Sequence, residues 1–288
     1  MNQRQSENAA LIEPFAKKNT ALSLCPVSVI IPFYKAGRFA QALLRSVSMQ
    51  TVLPDEIILV DDGRGCDFDE LHKWLAHYQL FERTVIVCTF KTTGPAQARN
   101  LGLNLANHRL IAFLDADDTW EPGFLEAMLN FHRETGAALM TAEVNFYTQS
   151  ELQTTVIYPS QIGLCQLLQT NPLLTPAIVI DRVQTGNFFF PDCHHEDYAL
   201  WLQFAKKGYR FQCVNLPLVN INRVAGSVSS NKKLAMGWHF SILKDLSGRN
   251  WFVRIVLFVM YALNALLKRK LKRYHPIFLP CFILRITK

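Results

Sequence analysis

The stretch LIAFLDADDTWEP, residues 110–122, decides the fold of this chain. It opens as a continuous apolar run of strand length and then changes to three acids, Asp115, Asp117 and Asp118. A short apolar run that ends in a turn is typical of a strand buried on both faces of a parallel sheet. The acids then lie beyond the carboxyl end of that strand, where open parallel sheets bind ligands.

The neighbouring residues repeat this arrangement. From residue 27 onward, apolar β-branched runs alternate with amphipathic stretches, which indicates a sheet flanked by helices. The predicted strands are 27–32, 56–61, 84–89, 109–115 and one within 138–147, and the predicted helices are 39–50, 67–77, 95–106, 123–135 and 196–207. The pattern predicts an α/β fold with a mostly parallel central sheet and a looser region around 149–176.

The positive charge of the chain is concentrated at its end. The 288 residues are 50% hydrophobic and 18% charged, which excludes wholesale disorder, and their net charge is +7. Residues 244–288 hold ten basic side chains and one acid, so the first 243 residues carry a net charge of −2. A nucleic-acid-binding protein would spread its positive charge over a folded face, so we expect no nucleic-acid partner.

The cysteines and the N-terminal residues indicate the cellular compartment of the protein. Seven scattered cysteines, without a Cys-x-x-Cys pair, predict reduced thiols in the cytosol. Residues 1–26 lack the apolar stretch of a signal peptide. We therefore expect them to form a loose leader.

Acids also end a second predicted strand, where Asp61 and Asp62 precede Gly63. Carboxylates that converge on one sheet edge repel one another unless a divalent cation or a set of donors neutralises them. Each group also has a purely structural interpretation, because Asp-Asp-Gly can form a turn and one acid of 115–118 can cap the following helix. A cap needs only one acid, so we favour metal and phosphate chemistry, with Asp115 and Asp117 holding the cation.

Two further polar groups accompany these acids. Arg99 lies one turn into the helix predicted after Gly94, from where a guanidinium can reach an anion at the sheet edge. The sequence CHHED at 193–197 precedes another helix. A zinc site is disfavoured there because adjacent residues rarely chelate one ion together, whereas acids at a helix start suit the helix dipole in any case. The functional interpretation is that Asp197 or Glu196 acts as general base for a hydroxyl nucleophile.

Taken together, these elements resemble a known enzyme family. The matching segments are VSVIIPFYKAG at 27–37, EIILVDDG at 56–63, TTGPAQARNLGL at 92–103, LIAFLDADDTWEP at 110–122 and HEDYALWLQFAKKGYRF at 195–211. In this order and spacing they resemble the inverting family 2 glycosyltransferases, which have the nucleotide-sugar-binding GT-A fold. The resemblance implies a catalytic domain over residues 27–230.

The resemblance also implies roles for individual residues. Those that match the family's donor site are Pro32 and Tyr34 at the nucleotide pocket, Asp62 on the base with Asp61 beside it, and Arg99, Asp115 and Arg223 on the ribose, sugar or diphosphate. Arg223 would belong, with Ser227 and Ser229, to a segment that closes on the diphosphate. Asp115 and Asp117 match the DxD motif, which holds a Mn or Mg ion. Asp197, with Glu196 beside it, matches the catalytic base.

The implied reaction transfers a sugar, with inversion, from a UDP-sugar to a hydroxyl of a lipid-linked saccharide in the synthesis of O-antigen, capsule or exopolysaccharide. Two other interpretations stay open: a nucleotidyltransferase similar to sugar-nucleotide pyrophosphorylases, and a non-catalytic carbohydrate- or nucleotide-binding module. The first class carries a glycine-rich loop after its first strand, where this chain has FYKAGRF with one glycine. A non-catalytic binding module has no need of both Asp117 and Asp197.

The basic end of the chain predicts membrane association. Residues 251–267 form a 17-residue apolar run that Arg254 and Asn264 interrupt, and KRKLKR follows at 268–273. The run is marginal for a span of about 20 residues, but a basic cluster beside an apolar helix suits an anionic membrane surface. The alternative is a helix packed on the catalytic domain. We expect 231–288 to be a membrane-association region, with 244–288 bound peripherally or by shallow insertion to the cytoplasmic face of the bacterial inner membrane.

Overall fold

The computed structural model of the chain describes residues 9–11, 25–63, 68–223 and 251–280. Most of the predicted leader and the segment with Ser227 and Ser229 lie outside these residues. The strands are β1 (Ala9–Leu11), β2 (Cys25–Phe33), β3 (Pro54–Asp61), β4 (Thr84–Thr89), β5 (Leu110–Phe113), β6 (Thr119–Trp120), β7 (Leu139–Thr148), β8 (Glu151–Val156), β9 (Gln161–Ile162), β10 (Ile178–Asp181), β11 (Phe211–Asn222) and β12 (Arg273–Tyr274). The α-helices are α1 (Gly37–Ser48), α2 (Phe68–His77), α3 (Pro95–Leu105), α4 (Phe124–Thr135), α5 (Leu164–Gln169), α6 (Arg182–Thr185), α7 (Glu196–Lys206) and α8 (Trp251–Lys270).

These strands form one sheet in the order β1-β4-β3-β2-β5-β10-β7-β11-β6, with β8 beside β7, β9 beside β11 and β12 beside β8. The strands β4, β3, β2 and β5 are parallel, as predicted. The carboxyl ends of β2 to β5 therefore meet at one edge of the sheet, which is where an open α/β sheet binds its ligands.

The other half of the sheet differs from the prediction. The strand β10 is antiparallel to both β5 and β7, while β11 is parallel to β7. Parallel neighbouring strands need a crossover connection, and the helices between the strands supply it as far as β5. Beyond β5 the chain makes the β7–β8 hairpin and then returns in the opposite direction as β10. The sheet is mixed, and the expectation of a mostly parallel sheet was wrong for this half.

Local patterns predicted the helix ends well and the looser region poorly. Each of the five predicted helices is present with its first residue within two positions of the predicted one. Just after α7, Gly208 has a φ of +92°, a conformation that glycine adopts readily and that ends the helix. The region around 149–176, in contrast, contains β8, β9 and α5. The strand β8 (ELQTTV) is mostly polar and its first three residues are exposed, so it lacks the apolar run by which the buried strands were recognised.

The helix α3 is seated closely on the sheet because Gly102 has no side chain. The helix packs on β2 and β3, whose central residues, such as Ile30 and Ile58, are fully buried. A Cβ atom at Gly102 would lie 2.5 Å from Cγ2 of Ile30, closer than real contacts allow. This contact sets the depth at which α3 lies on the sheet.

The helix α8 packs on the domain. It lies against α5 and β8, with Leu257 and Asn264 buried. The Asn264 side chain donates to the carbonyl oxygen of Ile277 (2.9 Å) and accepts from its N–H (2.8 Å), so it fastens the helix to the chain that follows. No helix in the part of the chain that the structure describes has the length and hydrophobicity that a transmembrane span requires.

One cysteine departs from the prediction. Cys165 of α5 is disulfide-bonded, whereas Cys88, Cys193 and Cys213 are free thiols. Wide scatter along a sequence does not keep thiols apart, since the fold brings distant segments within bonding distance. The expectation that every cysteine is reduced was wrong for Cys165, and it no longer supports a cytosolic location.

We predict that Gly102→Ala destabilises the protein by about 1–3 kcal/mol, because the added methyl group overpacks the contact between α3 and Ile30. Urea unfolding followed by circular dichroism measures the change. Gly37→Ala is the control, since Gly37 is the first residue of α1 and its Cβ atom would meet only Oε2 of Glu70, at 3.8 Å. Equal stability of Gly102→Ala and wild type would contradict the close packing.

Candidate active site

Arg99 joins the two groups of acids that the sequence analysis singled out. Its Nη2 donates to Oδ1 of Asp115 at 2.6 Å, and its Nη1 donates to Oε1 of Glu196 at 2.9 Å. The guanidinium is buried and lies 5.3 Å from the ring centroid of Phe190. Burial opposes its charge, but the charge and hydrogen bond of Asp115, followed by the charge of Glu196, raise its pKa. The start of α7 is thereby held next to the end of β5.

A second pair of hydrogen bonds holds α3 to the segment before α7. The Asn100 side chain donates to the carbonyl oxygen of Phe190 (2.9 Å), and the Phe190 N–H donates back to Oδ1 of Asn100 (2.7 Å). Asn100 directly follows the predicted site residue Arg99, and Phe190 shortly precedes Glu196. Neither local sequence pattern predicts this pair, because its residues lie ninety positions apart in the chain.

The loop with the DxD acids is held by the end of β11. Oδ1 of Asp118 accepts from the Asn222 N–H at 2.9 Å, and the Asn222 side chain donates to the carbonyl oxygen of Asp117 at 2.7 Å. Asp118 is buried, and its pKa is raised by burial first and then by Asp115 and Asp117. Asp118 therefore anchors the loop, and Asn222, which the sequence analysis missed, is its partner.

Asp117 has no side-chain ion pair among the described residues, whereas Asp115 is paired with Arg99. It is partly exposed, and its pKa is raised by burial and then by the charge of Asp115, with a small opposing effect of Arg38 on α1. Arg38 is another residue near the site that the sequence analysis missed. The two carboxylates disfavour each other's charge, which is the condition that a bound cation relieves.

The donor set at this loop fits a cation that shares its ligands with a substrate. Among the described residues, no group of three or more His, Cys, Asp or Glu side chains is placed to hold a metal ion. Mg²⁺ is usually bound by one or two carboxylates together with substrate phosphates, so Asp115 and Asp117 suffice for that arrangement.

Asp62 organises the loop that leads into α3. Its Oδ1 accepts from the N–H (2.7 Å) and the hydroxyl (2.8 Å) of Thr93, and its Oδ2 accepts from the Gly94 N–H (2.8 Å). Gly94 has a φ of +90°, which glycine adopts readily. Asp61 is buried beside it at the end of β3. The predicted contact of Asp62 with a base stays a prediction, and the Oδ2 atom retains acceptor capacity for it.

Tyr34 offers an aromatic surface at the same edge. It follows β2 and is 48% exposed, although it is a large aromatic residue. Nζ of Lys35 lies 5.2 Å from the Tyr34 ring centroid. Pro32, near the end of β2, is partly exposed. An exposed ring of this kind can stack on a nucleobase, as the sequence resemblance implies.

Asp197 has the properties of a general base. It lies in the first turn of α7, is partly buried, and accepts a hydrogen bond from the Tyr198 N–H at 2.6 Å. Burial, followed by the charge of Glu196, raises the pKa of Asp197 to about 6. A catalytic base works best when its pKa lies near the working pH.

Arg223 directly follows the residue that holds the DxD loop. It follows Asn222, and its guanidinium is 4.4 Å from the ring centroid of Phe146 on β7. Among the described residues it has no ion pair with Asp115, Asp117, Asp197 or Glu196. The structure thus brings Arg99, Asp115 and Glu196 into direct contact, while Arg223 reaches the site through its neighbour Asn222.

The chain is similar to bacterial sugar transferases of known sequence. TuaG of Bacillus subtilis, named as a teichuronic acid biosynthesis glycosyltransferase, is 32% identical over 247 residues, which is 84% of this chain and 97% of TuaG. WfaP of Escherichia coli, named as a UDP-Glc:alpha-D-GlcNAc-diphosphoundecaprenol beta-1,3-glucosyltransferase, is 31% identical over 84% of this chain and 94% of its own length.

A solved structure shows the same fold. The crystal structure of S. aureus TarS 1-349 in complex with UDP-GlcNAc matches with a TM-score of 0.58 at 18% identity, over 75% of this chain and 64% of that chain. This likeness confirms a mixed α/β fold of the GT-A kind. The family model described as glycosyl transferase family 2 matches residues 28–189. The chain belongs to glycosyl transferase family 2.

Proposed function

We propose that this glycosyltransferase moves a sugar from a UDP-sugar to a hydroxyl of a lipid-linked saccharide, with inversion, in the synthesis of a bacterial surface polysaccharide. The observation that carries the proposal is the bridge of Arg99 between Asp115 and Glu196. It places the acids expected to hold the donor diphosphate next to Asp197, the expected base. With these assignments, both halves of a displacement reaction would lie at one edge of the sheet.

The relatives support the choice of substrates. WfaP is named for a UDP-Glc donor and a diphosphoundecaprenol acceptor, and TarS was crystallised with UDP-GlcNAc. TuaG is named for the synthesis of a cell-wall polymer. We extend these substrate classes to this chain as a UDP-linked donor and a saccharide on a lipid diphosphate.

The donor would lie across the carboxyl ends of β2, β3 and β5. Tyr34 stacks on the base beside Pro32, and Asp61 and Asp62 form the polar wall of the nucleotide pocket. Arg99 keeps Asp115 oriented toward the ribose and diphosphate, and Arg223 approaches the diphosphate from β11. When bound, a Mn or Mg ion held by Asp115 and Asp117 supplies charge stabilisation to the diphosphate.

The transfer follows from the position of Asp197. Its carboxylate takes the proton of the acceptor hydroxyl, and the hydroxyl oxygen forms a bond to the anomeric carbon. The bond from that carbon to the diphosphate oxygen breaks, and the electron pair leaves with UDP. Because there is a single displacement, the anomeric configuration inverts. Glu196 is held by Arg99 and supports Asp197 by raising its pKa.

We also propose that α8 binds an anionic membrane surface. Its outward side carries four exposed apolar residues at helical spacing, namely Ile255, Val259, Leu263 and Leu266. The exposed cations Arg269, Lys270, Lys272 and Arg273 follow at the end of the helix. An apolar face beside a basic cluster suits the surface of a membrane that contains anionic lipids. The division into a leader at 1–26, a catalytic domain at 27–230 and a membrane-association region at 231–288 stays a prediction.

We predict that Asp197→Asn lowers the rate of transfer about 10²- to 10⁴-fold, because the amide cannot take the acceptor proton. Release of UDP from a UDP-sugar in the presence of a lipid-diphosphate-linked saccharide measures the rate. Donor binding is expected to persist. Asp192→Asn, which changes an exposed acid in the preceding loop, is the control.

The pH profile tests the same assignment. The base acts in its deprotonated form, and its pKa is about 6, so the wild-type kcat/KM for the acceptor is expected to fall as the pH falls through about 6. Above that value the rate reaches a plateau. Wild-type turnover by Asp197→Asn, or a profile without this acid limb, would show that another group is the base.

We predict that EDTA removes both transfer and the thermal stabilisation by a UDP-sugar, and that added Mn²⁺ or Mg²⁺ restores them. Differential scanning fluorimetry with a panel of nucleotide sugars measures the stabilisation and also identifies the donor. Asp117→Asn is expected to raise the cation concentration required, whereas Asp69→Asn on the exposed side of α2 leaves it unchanged. Full activity after chelation would exclude a role of the cation.

We predict that the double variant Val259→Glu, Leu266→Glu loses binding to vesicles of phosphatidylglycerol and phosphatidylethanolamine, because it places charge in the apolar face of α8. Co-sedimentation measures the bound fraction. Leu216→Glu changes an equally exposed apolar residue, 50% exposed on β11, and is expected to bind like the wild type. Equal binding of the double variant and the control would refute docking through α8.

A further inference from the structure

The first turn of α7 carries the expected base, but the usual cap of a helix start is missing. His195, the residue before the helix, has a φ of +57°, which is uncommon for a residue other than glycine, and its side chain makes no capping hydrogen bond. A cap normally fixes the start of a helix by accepting hydrogen bonds from its first N–H groups. The position of Asp197 therefore depends on the contacts that this turn makes with other parts of the domain.

Tyr198 supplies such a contact directly beside the base. Its N–H donates to Oδ1 of Asp197 at 2.6 Å, and its hydroxyl donates to the carbonyl oxygen of Leu167 on α5, also at 2.6 Å. The residue is 2% exposed. Burial, followed by Tyr261, raises the pKa of the Tyr198 hydroxyl, so the hydroxyl stays protonated and keeps donating at neutral pH. Tyr198 thus contacts the carboxylate of the base through its backbone and α5 through its side chain.

The helix α5 is a firm partner for this hydrogen bond. It packs on both α7 and α8. Gln169, its last residue, is fully buried, and its side chain donates to the carbonyl oxygen of Leu279 (2.9 Å) and accepts from the Leu279 N–H (2.6 Å). The last carbonyl oxygens of a helix have no partner within the helix, so the oxygen of Leu167 is available to accept from Tyr198.

Packing alone does not account for the Tyr198 hydroxyl. The ring belongs to the hydrophobic core, where phenylalanine would fill almost the same volume without a polar group that needs a partner. Arg99 binds Glu196, the residue before Asp197, and Tyr198 is the residue after it, so the base lies between two anchored neighbours. Such anchoring matters for the rate, because a displacement of about 1 Å at a reacting group can cost about 10²-fold.

We propose that Tyr198 is a positioning residue for the transfer reaction, because its hydroxyl fixes the first turn of α7 on α5 and thereby sets where the Asp197 carboxylate meets the acceptor hydroxyl. The inference deepens the proposed function and rests on Asp197 being the base. The expected donor contacts lie on other elements and do not pass through Tyr198. Loss of the hydroxyl is therefore expected to slow the chemical step and to leave donor binding unchanged.

The variant Tyr198→Phe removes the hydroxyl and keeps the ring. We expect its kcat to fall about 10- to 100-fold, whereas the KM for the UDP-sugar and the thermal stabilisation by that donor stay at the wild-type values. Tyr158→Phe is the matched control, since the Tyr158 hydroxyl is equally buried and donates to the carbonyl oxygen of Pro172. It is expected to lose a similar amount of melting temperature and to keep the wild-type kcat. Unchanged kcat in Tyr198→Phe, or equal losses of kcat in the two variants, would overturn the positioning role.

Hydrogen exchange followed by mass spectrometry tests the same role without substrates. In the full-length protein, the amides of 196–199 are expected to exchange about tenfold faster in Tyr198→Phe than in the wild type, and to be unchanged in Tyr158→Phe. Unchanged exchange of this segment in Tyr198→Phe would overturn the proposal. A wild-type protein that transfers no sugar would instead contradict the proposed function, because the exchange does not depend on turnover.

Discussion

The buried guanidinium of Arg99 is the interaction on which the candidate site depends. It is bound to Asp115 after β5 and to Glu196 at the start of α7, and it touches Phe190 as well. Removing either partner of a buried pair leaves an uncompensated charge, which costs far more than a surface ion pair contributes. The position of Arg99 is set in turn by the close seating of α3 on Ile30 at Gly102. A packing contact in the core therefore bears on how Asp115 and the start of α7 lie relative to each other.

The acids of the site differ because their surroundings differ. Asp115 is paired with Arg99, Asp118 is buried with a backbone hydrogen bond, and Asp117 stays partly open. Burial and the charge of Glu196 raise the pKa of Asp197 to about 6. Neighbouring carboxylates with different surroundings can take different chemical roles. The open acid suits a cation, the buried one holds the loop, and the acid with the raised pKa suits proton transfer.

The two sides of the helix α8 differ in character. Its inward side contains Leu257, Asn264 and Lys268, and its outward side contains an apolar face that ends in a basic cluster. The two alternatives of the sequence analysis, a helix packed on the domain and a helix that contacts a membrane, are therefore compatible. Packing of one side leaves the other side exposed. The positive net charge of the whole chain comes from the region that contains this helix and not from the residues before it.

By itself, the sequence determined the parallel half of the sheet, the helices around it and the identity of the acids at its edge. These follow from local patterns, since a buried strand needs a continuous apolar run and an amphipathic helix needs a period near 3.6 residues. Only the tertiary structure decided the antiparallel entry of β10, the partners of Arg99, the hydrogen bonds between Asn222 and the DxD loop and the packing of α8 on the domain. Each of these joins residues far apart in the chain, and the charge state of Asp197 depends on such neighbours. Local sequence patterns cannot predict these long-range contacts, because burial and ion pairing exist only after the chain has folded.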